Sequence, residues 1–445
     1  MGCKVNKYDT DALLAKLAEA GVLIQEFNQL ADIYIINTCT VTNAGDKKSL
    51  QIIRRARRQN PAAFIAVCGC MPRGQASSTG KISDAGADFI FDTRKPEDLL
   101  AKLEEVFPGR VGCQNEHFTN KQPGYSSDKI TGLETDMHVS GAAQRTRAFI
   151  KIQDGCNRYC AYCIVPYVRG PVVSRPTEDI LAEAAMHIRH GIKEIVLTGI
   201  QVAAYGYDTD SENINLPRLI NHLNDLGPKR LRLSSLDPCA VDSAFLETVS
   251  NSPTLCDHFH LSLQSGADKT LASMNRRYTT ADYATAASKL KNLRPEMALT
   301  TDIIVGFPGE SDEDFSKSLR FANDMGFSRI HVFEYSPRDG TPAADMPGQI
   351  PARVKSARGE EMRALAKSLE LKFLHSQIGK LTPVLFESKI KESINSNSSD
   401  TWQGHTGNYC NVKVQGTNLT NQIKHVQITG ATQDGLTGEL VNIKS

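Results

Sequence analysis

The residues best able to do chemistry in this chain of 445 residues are its eleven cysteines. Cys156, Cys160 and Cys163, in CNRYCAYC, stand at i, i+4 and i+7 directly after the strand-like RAFIKIQDG. Three thiolates on one short loop can hold three irons of a 4Fe-4S cluster and leave the fourth iron open. A tetrahedral zinc site asks for a fourth protein ligand, and no paired CxxC or HxxxH is well placed to supply it. Three unligated thiols crowded on a loop would oxidise readily. A second set lies near the N-terminus. Cys39 follows IYIINT, Cys70 follows FIAVCG, and Cys3 lies just before the first helical pattern. Strand C-termini and the loops that follow them share one edge of a parallel α/β sheet, so these three thiols can converge there. The bland alternative is three unrelated cysteines. Cys68, two residues before Cys70 in a strand-like run, is placed by alternation on the same side and is a substitute ligand. Cys113, Cys239, Cys256 and Cys410 are scattered and read as structural.

Such thiols need rigid elements to position them. Residues 1 to about 105 alternate helical patterns (Thr10 to Ala20, Asn43 to Arg58, a third after Pro96) with the runs IYIIN, FIAVCG and FIF, which predicts a small parallel α/β domain. The polar stretch Glu116 to Ala143 reads as linker, assigned to 106–144. Residues 145 to about 335 hold six strand-like runs, RAFIKI, EIVLT, RLRLS, HFHLSL, ALTTDIIVG and RIHVFEY, separated by helix-like stretches. Six βα steps make a parallel sheet, open or curled into an incomplete barrel. A helical segment follows from Arg353 to Gln377. Beyond Gly379 the runs TPVLFES, NYCNVKV, QIKHVQITG and LTGELVNI predict a small all-β barrel.

Composition bounds the rest. Apolar residues are 40% of the chain and charged residues 23%, as in ordinary globular proteins, and the formal net charge is +1. No global field draws the protein to polyanions, so any such partner is held by a local patch. KKSLQIIRRARR supplies one: Lys47, Arg54, Arg55 and Arg58 share a broad helix face that suits phosphates or is simply solvated. No apolar run reaches membrane-spanning length and the N-terminus lacks a signal-peptide pattern, so the expected location is the cytoplasm, with no membrane partner. Asn408 and Tyr409 suit RNA stacking or hydrogen bonding, with barrel core as the alternative for Tyr409. Arg169 and Arg175, in VRGPVVSRP, suit bidentate carboxylate or phosphate recognition, against the plainer reading of a surface ion pair with the helix near Glu178. Thr198 and Gly199 close EIVLTG, and Gln264 lies in LSLQSG; each stands where a strand ends, the side of a βα barrel that carries sites, although TG or QSG is also an ordinary turn.

CxxxCxxC with an aromatic (Tyr162) before its last cysteine, at the end of the first of six βα steps, resembles the radical S-adenosylmethionine (SAM) superfamily. The wording GCKVNKYDT, INTCTVTNAGDKKS and VCGCMPR, ahead of that block and an all-β tail, resembles the radical-SAM methylthiotransferase family over nearly the whole chain. The resemblance implies an α/β fold in three parts: an N-terminal α/β domain (1–105), a radical-SAM partial barrel (145–375), and a TRAM-like RNA-binding barrel (376–445). It implies two 4Fe-4S clusters, on Cys156, Cys160 and Cys163 and on Cys3, Cys39 and Cys70. SAM chelates the open iron and is split by one electron to methionine and a 5′-deoxyadenosyl radical. Tyr162, Thr198, Gly199, Gln264 and Arg175 are then SAM-site residues. The implied partners are tRNA and an electron donor such as flavodoxin or ferredoxin. Family members open with a strand before the GCxxN motif; only Met1 and Gly2 precede Cys3 here, so the first sheet is expected to lack that member. The N-terminal wording looks most like the branch acting on N6-threonylcarbamoyladenosine at position 37 of tRNA. Alternatives are N6-isopentenyladenosine, a ribosomal-protein aspartate, or a non-enzymatic iron-sulfur RNA-binding module.

Overall fold

Parallel strand pairs need a crossover that returns the chain to the same end, so alternating strand and helix patterns fold into sheets with helices on their faces. The computed structural model describes residues 3–40, 43–74, 76–110, 146–211, 213–390 and 400–441; most of the expected linker, from 111 to 144, lies outside them. The chain forms two compact units, one from Met1–Ala142, Asp154–Asp179 and Arg338–Ala344, the other from Ala143–Gln153, Ile180–Pro337 and Asp345–Ser445.

In the first unit, strands Ile33–Thr38, Phe64–Gly69 and Phe89–Ile90 pair in that order, all parallel, with Ile33 opposite Phe64 and Thr38 opposite Gly69. Helices Lys4–Glu19 and Pro96–Val106 place Leu13, Leu17, Leu99 and Leu103 against Phe64, Ala66 and Cys68. Helices Asn43–Gln59 and Ala76–Asp84 cover the other face, with Ile53, Ala56 and Ile82 on Tyr34, Ile36, Ile65 and Val67. The first helix starts six residues before the expected Thr10, with Cys3 at its N-cap, because Val5 and Asn6 are buried.

The second unit carries the six predicted parallel strands. Arg147–Lys151, Glu194–Thr198 and Arg230–Leu233 form one sheet, and His258–His260, Ala298–Val305 and Arg329–Glu334 another. Parallel bridges Leu231–Leu255 and Leu236–Leu261 join them into a partial barrel. Alternation divides their side chains. Ile150, Ile195, Leu197, Leu231, Leu233, Phe259, Leu299 and Ile303 enter the core shared with the helices. Arg147, Glu194, Arg230, Arg232, His258, His260, Thr300 and Asp302 take the opposite, inner face. After the 24-residue helix Ala352–His375, five strands close a small barrel: Leu381–Lys389, Asp400–Thr406, Asn411–Gly416, Ile423–Thr432 and Gly435–Val441.

This small barrel docks onto the inner polar residues. Glu194 and Arg232, 1% and 2% exposed, form two hydrogen bonds of 2.7 and 3.1 Å. Arg232 also donates to the Gly407 carbonyl, and Arg230 to those of His405 and Pro383. Tyr409, at φ 68°, lies 4.5 Å from the Arg232 guanidinium and stacks on His405 while its hydroxyl accepts from Arg147. Asn408 donates to the Glu296 carbonyl and to Gln377. Both residues are half-buried and latch the tail to the partial barrel, the contact seen in place of the expected one with RNA.

Burial raises the Glu194 carboxyl, but Arg232, Arg230 and Arg147 outweigh it and hold the pKa below its ordinary 4.5. Its stabilisation is therefore full above about pH 4.5 and fades as pH falls through the lowered value. Arg232→Met removes both hydrogen bonds to that buried carboxylate and leaves it only the longer contact with Arg230 at 3.7 Å, and should cost on the order of 3–5 kcal/mol of stability at pH 7. In thermal melts, adding Glu194→Leu to Arg232→Met should restore much of the loss, because an apolar pair needs no desolvation.

Candidate active site

Both cysteine triads belong to the first unit. The loop carrying Cys156, Cys160 and Cys163 is held by its own backbone. The Cys156 amide donates to Gly170 O at 3.0 Å, that of Cys163 to Cys160 O at 2.9 Å, and Asn157 Oδ1 accepts from the Val172 amide at 3.1 Å. At Gly155, φ +70°, a Cβ would lie 1.8 Å from the Pro171 carbonyl, so only glycine lets the loop close. The Arg158 amide points at Cys156 Sγ at 3.4 Å, a contact that favours the thiolate. Tyr162 is half-buried within the loop.

Cys3, Cys39 and Cys70 are carried by a helix N-cap and the ends of two neighbouring strands. Asn6 organises them. Its amide donates to Thr38 O at 2.9 Å, its Oδ1 lies 3.8 Å from Cys70 Sγ, and the Cys70 amide bonds Thr38 O at 3.1 Å. Cys70 packs on Ile164 and Val168, the first of these adjacent in sequence to Cys163. The alternation that put Cys68 beside Cys70 fails at Gly69. That residue takes φ +97°, where a Cβ would sit 2.3 Å from Thr38 O, and the turn sends the two thiols to different surroundings. Cys68 is fully buried among Leu13, Leu17 and Phe64, where burial pushes its thiol up to about 12. A thiol so placed is a poor ligand. Burial also raises Cys70, but there Arg169 pulls the other way.

Arg169 is committed within the protein. Its Nη1 donates to both Asp154 oxygens at 2.9 and 3.0 Å, its Nη2 to Asn6 Oδ1 at 2.5 Å, and Asp9 Oδ2 lies 3.4 Å away. Burial opposes its charge, but Asp154, Cys70 and Asp9 overcome that and raise its pKa. This corrects the expectation that Arg169 recognises a ligand anion. Arg175 is 5% exposed, so it does not lie on the surface, and it donates to Tyr8 Oη at 2.9 Å with its guanidinium over that ring. Arg338, in SPRDG, adds a bond to Asp46 at 2.8 Å and one to Thr40. Sequence reasoning passed over Asn6, Asp9, Asp154 and Arg338. Asn6 and Asp9 stand within the quoted GCKVNKYDT and Asp154 abuts the cysteine loop, so the signal was adjacency alone.

Thr198, Gly199 and Gln264 belong to the second unit. Thr198 ends its strand fully buried, and its carbonyl accepts from Ile152 N. A Cβ on Gly199 would meet Gln153 Oε1 at 3.0 Å, so the turn is sealed by backbone approach. Gln264, 8% exposed, is held at φ 71° by bonds to Asp302 O and Ile304 N. A buried non-glycine residue in the left-handed region stores strain of the kind that clusters at binding sites. Cys256 and Cys410 are buried with thiols raised to about 11, as structural cysteines should be.

Arg169→Met should remove the buried guanidinium that Asp154, Asn6 and Asp9 share, costing on the order of 3–5 kcal/mol at pH 7. The loss should appear as a lower melting temperature than that of wild type.

The fold and these residues fit known proteins. A Radical SAM superfamily model matches residues 150–322, and one described as Uncharacterized protein family UPF0004 matches residues 1–91. Threonylcarbamoyladenosine tRNA methylthiotransferase MtaB of Bacillus subtilis (strain 168) is 36% identical over 448 residues, covering 100% of this chain and 95% of that protein. A tRNA-2-methylthio-N(6)-dimethylallyladenosine synthase of Pelotomaculum thermopropionicum is 33% identical, covering 99% and 96%. The radical SAM methyltransferase TsrM of Kitasatospora setae, solved with cobalamin and a [4Fe-4S] cluster, shares the fold at TM-score 0.50 and 15% identity, over 76% of this chain and 66% of that one. Identity at this level, running from end to end of whole chains, makes the protein a member of the radical-SAM methylthiotransferase family.

Proposed function

We propose that the protein methylthiolates carbon 2 of N6-threonylcarbamoyladenosine at position 37 of tRNA. One observation supports this above the others: a single unit carries two cysteine triads, and Cys70 of one packs on the helix that follows the other. A cluster bound by Cys156, Cys160 and Cys163, with SAM on its open iron, would supply the 5′-deoxyadenosyl radical, and a second on Cys3, Cys39 and Cys70 would carry the sulfur to be methylated. The donor sets fit in kind: each is three thiols, the Arg158 amide points at Cys156 Sγ, and Arg169 opposes the burial that raises the Cys70 thiol. The chain's own part is positional. Gly199 lets its turn close onto Gln153, Gln264 is pre-strained at a strand end, and Arg175, fixed by Tyr8, stands in the same unit as the cysteine loop. The electron would come from a flavodoxin or ferredoxin.

The threonylcarbamoyl reading rests on the wording of residues 2–10 and 36–49 and on the relatives that carry that name. Transfer-RNA nucleosides from a deletion strain distinguish it. Loss of the methylthiolated threonylcarbamoyl product supports it, whereas selective loss of the isopentenyl product would replace it. Reconstituted protein should hold about eight irons per chain. The variant Cys156→Ala, Cys160→Ala, Cys163→Ala should keep about four and release no 5′-deoxyadenosine from SAM; persistence of that product would remove the radical assignment.

Lys47, Arg54 and Arg58 are exposed on the helix Asn43–Gln59 and serve as phosphate contacts in this reading. Arg54 and Arg58 line a shallow depression of about 310 Å³ with Gln51, Arg57 and Ala85. Arg57 is already engaged with the Gly86, Pro61 and Ala63 carbonyls and Asp88. Arg54→Ala with Arg58→Ala should weaken tRNA binding and lower the slope of log K against log salt by about 1.5 to 2. An unchanged slope would make this a merely solvated face.

A further inference from the structure

The inner face of the partial barrel carries a group that the proposed chemistry does not use. Asp302 is directly paired with His331 on one neighbouring strand, and Thr300, two residues earlier, with His260 on the other. In-register parallel neighbours share a face, so His260, Asp302 and His331 project from three adjacent strands to one side. Their nearest ligand atoms all lie within 4.8 Å of one another, the one such triad of His, Cys, Asp or Glu among the described residues. His260 Nε2 is 3.3 Å from Asp302 Oδ2, and the two imidazole rings are 5.9 Å apart.

The decisive atom is His260 Nε2. His260 is 9% exposed, and this nitrogen is buried with no hydrogen-bond partner, despite the nearby carboxylate. The other ring nitrogen, Nδ1, sits 3.0 Å from Thr300 Oγ1, which also lies 3.2 Å from His258 Nε2. The threonine hydroxyl has one proton. If it donates to His258, it accepts from His260 Nδ1–H, and that tautomer leaves Nε2 as a bare lone pair facing a carboxylate oxygen. Two lone pairs at that distance repel unless a cation lies between them. An imidazole whose far nitrogen is fixed by a hydrogen bond is also the usual second-sphere arrangement of a metal-ligating histidine.

We infer that His260, Asp302 and His331 form a binding site for a divalent first-row transition metal, with Zn²⁺ as its simplest occupant. Ligands at about 2.0–2.1 Å around a tetrahedral ion are separated by roughly 3.3 Å. The His260–Asp302 separation already has that value. His331 stands on the edge strand of its sheet and is exposed, so it is free to close onto the ion and leaves a route for its arrival. Arg329, two residues before it, is neutralised by Glu370 at 2.5 Å and does not repel a cation at full strength. Two histidines and one carboxylate leave a coordination position open toward the inner face, for water or an anionic group of a ligand.

The test uses cluster-loaded protein, so that iron occupies the cysteine triads, dialysed anaerobically against dilute Zn²⁺ and analysed for both metals. Wild type should retain about one zinc per chain. His331→Ala, an exposed change that spares the core, should lower zinc affinity more than about ten-fold at unchanged iron content, and His260→Ala should do the same. His331→Cys, which restores a ligand, should recover retention. Equal zinc in wild type, His331→Ala and His260→Ala, or none in wild type, would overturn the site and leave the contact between His260 and Asp302 as a purely structural one. Because zinc is measured directly, the outcome does not depend on methylthiolation.

Discussion

A buried arginine holds the first unit together. Arg169 follows the cysteine loop by six residues, yet its guanidinium ends on Asp154, Asn6 and Asp9, groups from either end of a long stretch of sequence. Charge so deeply buried is tolerable only when paired and hydrogen-bonded. Here the pairing fixes relative positions: Asn6 also holds the Thr38 carbonyl, and through it the turn that presents Cys70. Loosening one arginine would therefore disturb thiols that are 86 residues or more apart in the chain. Its other effect is electrostatic, since it is the nearby cation that opposes the burial penalty on Cys70.

A related economy operates in the second unit. A parallel sheet covered by helices on both faces reads as continuous apolar sequence. The runs RLRLS and HFHLSL alternate instead, because one face of these strands looks onto polar residues. That face is neutralised partly from within, where Glu194 meets Arg230 and Arg232, and partly by the tail, where Glu387 meets Arg147 and carbonyls of the small barrel accept from Arg230 and Arg232. The tail thus caps charge that helices could not cover, and its tyrosine and asparagine are spent on that contact. On the other sheet of the partial barrel, His260 and Asp302 face each other at 3.3 Å.

The six strands were legible because each leaves a local mark, an apolar run, and the group Cys156, Cys160 and Cys163 stood out by its spacing. What escaped was non-local or carried little apolar signal. DTWQGHT folds as a barrel strand although Trp402 is its only large apolar residue. Gly404 is required there because a Cβ would lie 2.3 Å from the Leu385 carbonyl. Tyr409 looked like an RNA-stacking residue because aromatic type alone does not say which cation it will meet. The separation of Cys68 from Cys70 hinged on one positive φ at Gly69. Arg169 was placed correctly beside the site and misread in role, since nothing local announces partners 160 residues away.

Substrate choice is the property least visible in whole-chain likeness. Relatives named for a threonylcarbamoyl product and for a dimethylallyl product are 36% and 33% identical to this chain, each over nearly its full length. The two modifications differ in kind: one carries a carboxylate and hydrogen-bonding groups, the other is a hydrocarbon. A site built to bond polar groups rejects an apolar analogue strongly, because its own buried donors are left unpaired, whereas an apolar pocket discriminates weakly. Selection for the threonylcarbamoyl group therefore needs only a few fixed donors or cations. So small a change is diluted to nothing in an identity averaged over hundreds of residues. Recognition by a handful of such groups, and not overall resemblance, is what would separate the two branches.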